Sequence, residues 1–359
     1  MPEQTSTKDP RIVQTILDDF RRGDFRNSVK QDYSDLKDFY LHEERKKRLQ
    51  SMNSFKRFLF SAGWLLKELF LKLTPARRIL LIVGLVLLLT NKQDNQNNLV
   101  LLGALILLFI IMLELKDKLI AKSELEAGRK VQDALKPQFQ PTVPGWDVWL
   151  FTQSANDVGG DLVDYIKLDD DRSGFALGDV AGKGLSAALL MVKLQSTLRA
   201  LVSDFSSLSD LAAKVNYIFY RDGLRNIFAS LVYLETISNS NHVRLFNAGH
   251  FPPVIIKGNE LVELSKGAPA LGLMSNTSFA EDTVEIENSN FLVIYSDGIT
   301  EARNEYGEFF GSVRLNNLLK NLNGLTSEQA GTKILSSVSH FVGNAKQNDD
   351  ISLIILKRI

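Results

Sequence analysis

The sequence predicts an α+β protein: a helical, membrane-associated N-terminal part followed by a β-rich C-terminal domain. Three observations carry that expectation. Two apolar runs stand in tandem, Ile79 to Leu89 and Leu99 to Leu113. Pro137, Pro141 and Pro144 then stop a charged helical stretch. From Gly145 to the end the texture is short β-type runs broken by Gly, Asn and Asp. At 359 residues the chain is too long for one ordinary domain, taking about 150 residues for each. Its 42 basic and 42 acidic residues cancel, so no net field draws it to nucleic acid. The chain has no cysteine, which excludes disulfide scaffolds, zinc–thiolate sites, iron–sulfur clusters and cysteine nucleophiles.

Taken in order, residues 1–75 form a helical juxtamembrane region to which no chemistry is assigned. HEERKKRLQ, from His42 to Gln50, reads as a solvated charged helix. Phe55 to Leu73 mixes aromatics, leucines and lysines, as a helix on a membrane surface or one packed on its neighbours would. Residues 76–115 read as a two-helix membrane hairpin, since a helix apolar all round needs apolar surroundings on every side. The alternative is a buried or interfacial pair, because the first run falls short of the roughly 20 residues a span requires. Arg77 and Arg78 precede the first run and Lys116, Lys118 and Lys122 follow the second, against Lys92 and Asp94 in the loop. The positive-inside bias places the chain ends and the C-terminal domain in the cytoplasm, at the inner membrane. Residues 116–137 read as a helical linker with an imperfect seam of Leu115, Leu119, Leu125, Val131 and Leu135, suited to pairing two chains. Residues 138–359 form the C-terminal domain.

The chemistry lies in acids at strand ends. FALGD ends at Asp179, FLVIYSD ends at Asp297, and Asp349 and Asp350 open the run ISLIIL. Upstream, VGGD sets Asp161 after two glycines. A lone Asp-Gly is ordinarily a turn. Four such sites in one domain, with only 4 His in the chain, instead suggest an oxygen ligand set for hard divalent cations. Clustered carboxylates would otherwise raise one another's pKa. GDVAGKG is not a phosphate-binding loop, because three residues separate Gly178 from Gly182 and Gly184 follows Lys183. VGGDLVD likewise lacks the second acid of a cyclase GGD motif, having Leu162 instead.

VGGDLVDY, ALGDVAGKGLSAALLM, NAGHFPP, GAPALGLM, YSDGITEARNEYGEFFG and NDDISLIIL occur in this order. Together they resemble the metal-dependent PPM-type serine/threonine phosphatases, in the bacterial SpoIIE/RsbU branch that regulates sigma factors. The resemblance covers roughly residues 121–359 and includes the connector ELEAGRKVQDALKP. It implies a two-sheet antiparallel β-sandwich flanked by helices, with two Mn2+ or Mg2+ ions at one edge and water as the nucleophile. Carried over by motif, Asp179 bridges the ions, the Val180 carbonyl and Asp161 serve one of them, and Asp297 with Asp349 or Asp350 holds the other. Asp161, Asp179 and Asp297 are thus the expected catalytic acids. Gly160, Gly182, Lys183 and Gly184 are the expected substrate-side residues. The resemblance departs in one respect: eukaryotic members place a His near the bridging Asp and an Arg on the substrate phosphate, whereas this chain has Ala181 and Lys183 after GDV, so no acid for the leaving alkoxide is evident. His250, Asn247 and Gly249 read as loop formers. The implied substrate is a small phosphorylated regulatory protein of the anti-sigma-factor-antagonist type. The rival reading is a catalytically silent, phosphatase-like scaffold that acts by binding its partner.

Overall fold

The structure, a computed structural model, describes Tyr33, Lys37, Leu41 and residues 43–50, 52–89, 97–137, 140–223 and 227–359. His42, most of the first 42 residues, and the hairpin loop with Lys92 and Asp94 lie outside them. The chain divides into two compact units, Met1–Lys118 and Leu119–Ile359.

In the first unit, α1 (Glu43–Gln50) and α2 (Ser54–Lys72) follow the two helical patterns of the N-terminal region. Leu41, Leu49 and Leu65 bury together, and Arg45 pairs with Glu68 at 2.7 Å. Phe55, Phe58, Leu59 and Leu66 of α2 remain exposed. Thr74 then starts α3 (Pro75–Leu89), with the Arg78 amide donating to its carbonyl and Pro75 at the first helical position. The second apolar run opens α4 (Asn97–Leu135), a single helix of 39 residues. The two helices meet at Gly84 and Gly103, where a methyl on Gly103 would lie 2.8 Å from the Gly84 carbonyl. Only small residues allow that approach. Arg77 closes the same pair on Glu114 and Asp117, at 2.5 and 2.7 Å.

Length separates the two helices. Leu99–Leu135 is long and apolar enough to cross a membrane. The 15 residues of α3 give only about 22 Å against a hydrocarbon core of roughly 30 Å. A further helix in the second unit, over Leu185–Asp204, meets the same length and composition test, but its apolar face packs on a sheet.

The second unit is built on two five-stranded antiparallel sheets. One has the order β1 (Trp146–Gln153), β10 (Ile351–Arg358), β9 (Phe291–Tyr295), β6 (Val254–Lys257), β7 (Glu260–Glu263). The other has β2 (Asp161–Lys167), β3 (Arg172–Val180), β4 (Ala229–Ile237), β5 (His242–Ala248), β8 (Asp282–Glu285). Alternate residues face each other between the sheets: Val148 and Leu150, Val163, Phe175 and Leu177, Val232 and Leu234, Leu292 and Ile294, Ile354 and Leu356. Helices α5 (Leu185–Leu201) and α6 (Leu208–Asp222) cover the second sheet. Helices α8 (Gly311–Leu319) and α9 (Ser327–Val342) cover the first, and the short α7 (Asp297–Thr300) follows β9 directly. The result is the expected sandwich in four layers. The helix α4 ends two residues before Pro137, as a helix approaching proline must.

Candidate active site

Strand parity carries acids into the space between the sheets. Side chains on one face recur every second residue, so the inward set of β3 runs Phe175, Leu177, Asp179, and that of β2 runs back from Tyr165 and Val163 to Asp161. Asp161 and Asp179 are direct cross-strand partners. In the other sheet, Leu292 and Ile294 lead to Ser296, while Leu356 and Ile354 lead back to Ser352 and Asp350. At this end of the sandwich the apolar filling therefore gives way to carboxylates and hydroxyls. Thr152 and Ser352 bond through their hydroxyls at 2.9 Å, and Ser296 Oγ donates to the Asp350 carbonyl at 3.2 Å.

Asp349 and Asp350 take different environments. Asp350 is buried, and its carboxylate accepts from the amides of Ala155 (2.8 Å), Gly160 (2.7 Å) and Asp161 (3.3 Å). It thereby ties the VGGD turn to the first residue of β2. Asp349 is partly exposed, and Lys183 Nζ donates to it at 3.0 Å and to the Asn348 carbonyl at 3.0 Å. Lys183 thus closes on an acid of the cluster. Asp297 opens α7 beside them. The glycine after it is required, because any side chain at Gly298 would overlap the Asp350 carbonyl.

Electrostatics bind the acids into one system. Burial first, then the Asp179 charge, pushes Asp161 well above the ordinary carboxylate range. Burial, then Asp297, Asp349 and Asp350, raises Asp179 to about 7. Burial and the neighbouring Asp349 also raise Asp297. One buried oxygen, Oδ2 of Asp161, has no hydrogen-bond partner among the described residues. Among the described residues, no three His, Asp or Glu side chains are close enough to form a ready-made cage. The facing pair Asp161/Asp179, an orphaned buried oxygen and two more acids within charge range nevertheless suit hard cations, whose ligands are oxygens. The Val180 carbonyl lies over Gly160, where an added methyl would approach it to 3.2 Å. Gly182 and Gly184 have φ of 118° and 72°, which carries the chain from β3 into α5.

Several residues of the site were not evident in the sequence. Gln132, in the last turn of α4, is buried and bonds Gly159 twice: its Nε2 donates to the carbonyl at 2.7 Å, and its Oε1 accepts from the amide at 3.1 Å. Gln195 and Arg199 of α5 both donate to the Leu135 carbonyl, at 2.9 and 3.3 Å. Arg199 also holds the wholly buried Asp164 at 2.6 and 2.8 Å. The only hint of this was the helical pattern of the linker, which says nothing about which glutamine turns inward. His250 is a buried loop residue, as expected, with a pKa pushed down by burial to about 4. It stands beside Asp179 through Ser230, in a cleft of about 730 Å³ that Asp179 and Asp297 also line.

Comparison with known proteins agrees with the architecture. Residues 169–359 match the family described as Stage II sporulation protein E (SpoIIE). The chain is 30% identical over 283 residues to Protein IcfG of Synechocystis sp., covering 69% of this chain and 43% of that protein. It is 25% identical over 239 residues to the phosphoserine phosphatase RsbU of Bacillus subtilis, covering 66% of this chain and 70% of RsbU. The phosphoserine phosphatase RsbP of the same organism is 25% identical, with 59% of its length covered. Less than half of IcfG and under two thirds of RsbP are therefore represented. Among solved structures, the SiaA-PP2C domain of Pseudomonas aeruginosa superposes with a TM-score of 0.60 at 19% identity, covering 68% of this chain and 98% of that one. The PP2C phosphatase domain of SpoIIE from Bacillus subtilis, with a fragment of its regulatory domain, gives 0.52 at 16% identity, covering 61% and 64%. Those two structures share the fold: paired antiparallel sheets between helical layers. By its sequence match the chain belongs to the SpoIIE family, and it has the fold of the PP2C domains it superposes on.

Proposed function

We propose that this chain is a membrane-tethered phosphoprotein phosphatase that hydrolyses phosphoserine or phosphothreonine on a small regulatory partner of the anti-sigma-factor-antagonist type. One observation carries the reading: Asp161 and Asp179 face each other at the mouth of the sandwich, both with raised pKa, with Asp297 and Asp349 in charge range. Two Mn2+ or Mg2+ ions held there would activate water near neutral pH and neutralise phosphoryl oxygens. Asp179 would bridge them, Asp161 and the Val180 carbonyl would serve one, and Asp297 and Asp349 the other. Between the consecutive acids, the open Asp349 is the ligand and the hydrogen-bonded Asp350 is the anchor of the VGGD turn. Gly160, Gly182 and Gly184 would let backbone approach the phosphoryl group. Lys183, paired with Asp349, would reach that group only by leaving its partner.

The tether is the hairpin α3–α4, with its flanking Arg77, Arg78, Lys116, Lys118 and Lys122 on the cytoplasmic side. Leu115 and Leu119 are more than half exposed on one face of α4, and they would contribute to the seam of a homodimer. The decisive test is manganese-dependent release of phosphate from a phosphoprotein or p-nitrophenyl phosphate. Wild type should be active and Asp179→Asn inactive. Equal behaviour of the two would favour the silent scaffold.

A further inference from the structure

Two of the sequence motifs, NAGHFPP and GAPALGLM, supply none of the acids of the cluster, yet they build one wall beside it. They enclose the cleft of about 730 Å³ that Asp179 and Asp297 close at its other side. That volume is within the range of preformed binding sites.

The wall is rigid by construction. Gly249 and Gly267 both have φ of 70°, and a methyl at Gly249 would lie 2.6 Å from the Ala270 amide nitrogen. At Gly267 it would overlap the Asn247 carbonyl. That carbonyl accepts from the Ala268 amide at 2.9 Å, which joins the two motifs. Asn247 also caps its own loop, accepting from the His250 amide at 2.8 Å and donating to the His250 carbonyl at 3.1 Å. Leu271 and Ala229 exchange both backbone hydrogen bonds, so the second motif is stitched to the start of β4.

The lining is chemically mixed. Phe228 and Phe251 are 37% and 40% exposed, and with Pro252 and Pro269 they give the cleft an apolar side. Lys266 stands at the rim, exposed and in no hydrogen bond or ion pair among the described residues. His250 Nε2 faces the Tyr295 carbonyl at 3.1 Å and must donate to it, which leaves Nδ1 an acceptor. Ser230, 2.7 Å from Nδ1, therefore spends its proton on the histidine and offers the cleft only lone pairs. The site thus presents an acceptor suited to a peptide N–H, an apolar face and a cation, beside the acids that would carry out hydrolysis.

Resting on the phosphatase reading, we propose that this cleft holds the polypeptide segment flanking the phosphorylated residue of the substrate. An apolar neighbour would lie against Phe228, Phe251 and Pro252, and an anionic oxygen of the same segment would lie on Lys266. That oxygen belongs either to the phosphoryl group or to an acidic side chain.

The test uses the full chain in detergent with manganese, p-nitrophenyl phosphate, and synthetic phosphoserine peptides differing only in the residue beside the phosphoserine. Wild type should prefer Leu over Ala there by about tenfold in kcat/KM, mainly through KM. Phe251→Ser should abolish that preference. Lys266→Glu should raise KM for the peptides about tenfold, and Lys266→Arg should restore it. If Lys266→Glu raises KM for p-nitrophenyl phosphate equally, the contact is to phosphoryl oxygen; a rise for peptides alone assigns it to a carboxylate. Active enzyme that shows no neighbour preference and is indifferent to both substitutions overturns the cleft assignment while sparing the phosphatase. Loss of manganese-dependent hydrolysis for every substrate overturns both.

Discussion

Asp350 accepts three backbone amides, whereas Asp349 accepts a lysine at the surface. Removing Asp350 would orphan buried donors, so Asp350→Ala should lower stability by about 3 kcal/mol, read by denaturant unfolding. Asp349→Ala should leave stability within about 0.5 kcal/mol of wild type and still abolish phosphate release. Asp179 adds a pH dependence. Its carboxyl is raised to about 7 by burial and the surrounding acids, against about 4 when unfolded. Across that interval the folded chain holds a proton that the unfolded chain has released, so stability falls as pH rises from about 4 to about 7. Tm of the metal-free chain should decline over that window, and Asp179→Asn should make the decline shallower, leaving the part due to the raised Asp161 and Asp297. Manganese should raise Tm at its upper end, since an ion that binds only the folded state stabilises it. Asp161, Asp179 and Asp297 were legible because each acid bounds an apolar run. The split between Asp349 and Asp350 was not, since it depends on the register of β10 against β9 and on amides that approach from residues 155–161.

The last turn of α4 is more than a spacer. Its Gln132 clamps Gly159, two residues before Asp161, while α5 satisfies the terminal carbonyl of Leu135. Gln132→Ala would leave a buried amide and carbonyl unpaired, at about 1–3 kcal/mol, and should reduce phosphate release more than the equally polar but exposed Lys130→Ala. Helix existence and its proline stop were readable from the charged, glycine-poor run. Its attachment to the VGGD turn was not, because a single buried glutamine among charged neighbours has no periodic signature. The strand runs before Asp179 and Asp297 also held, and they became β3 and β9 with alternate residues inward. The short first apolar run was the ambiguous element in the sequence, and α3 remains 15 residues long.

At the scale of the whole chain, apolar surface left uncovered predicts association. Leu115 and Leu119 stand 53% and 57% exposed four residues apart on one face of a helix, a neighbouring pair of the kind a helix–helix seam uses. Sedimentation of the full chain in detergent should give a dimer, and Leu115→Glu with Leu119→Glu should give a monomer. The division into a helical part and a β-rich part was plain from composition, because tandem apolar runs and Gly/Asn/Asp-punctuated strands leave opposite marks. The cleft was invisible there. Its two loops are separated by the ten residues 254–263 of β6, turn and β7, and contacts such as that of the Ala268 amide with the Asn247 carbonyl bring them together.

That contact has an outcome of its own. A recess whose contour is set by glycines and carbonyls keeps its shape whatever side chains decorate it. Exchanging Phe251 or Lys266 would repaint the recess without recasting it. A lineage could therefore redirect such an enzyme to a new client through one or two surface changes, with the hydrolytic machinery left as it stands.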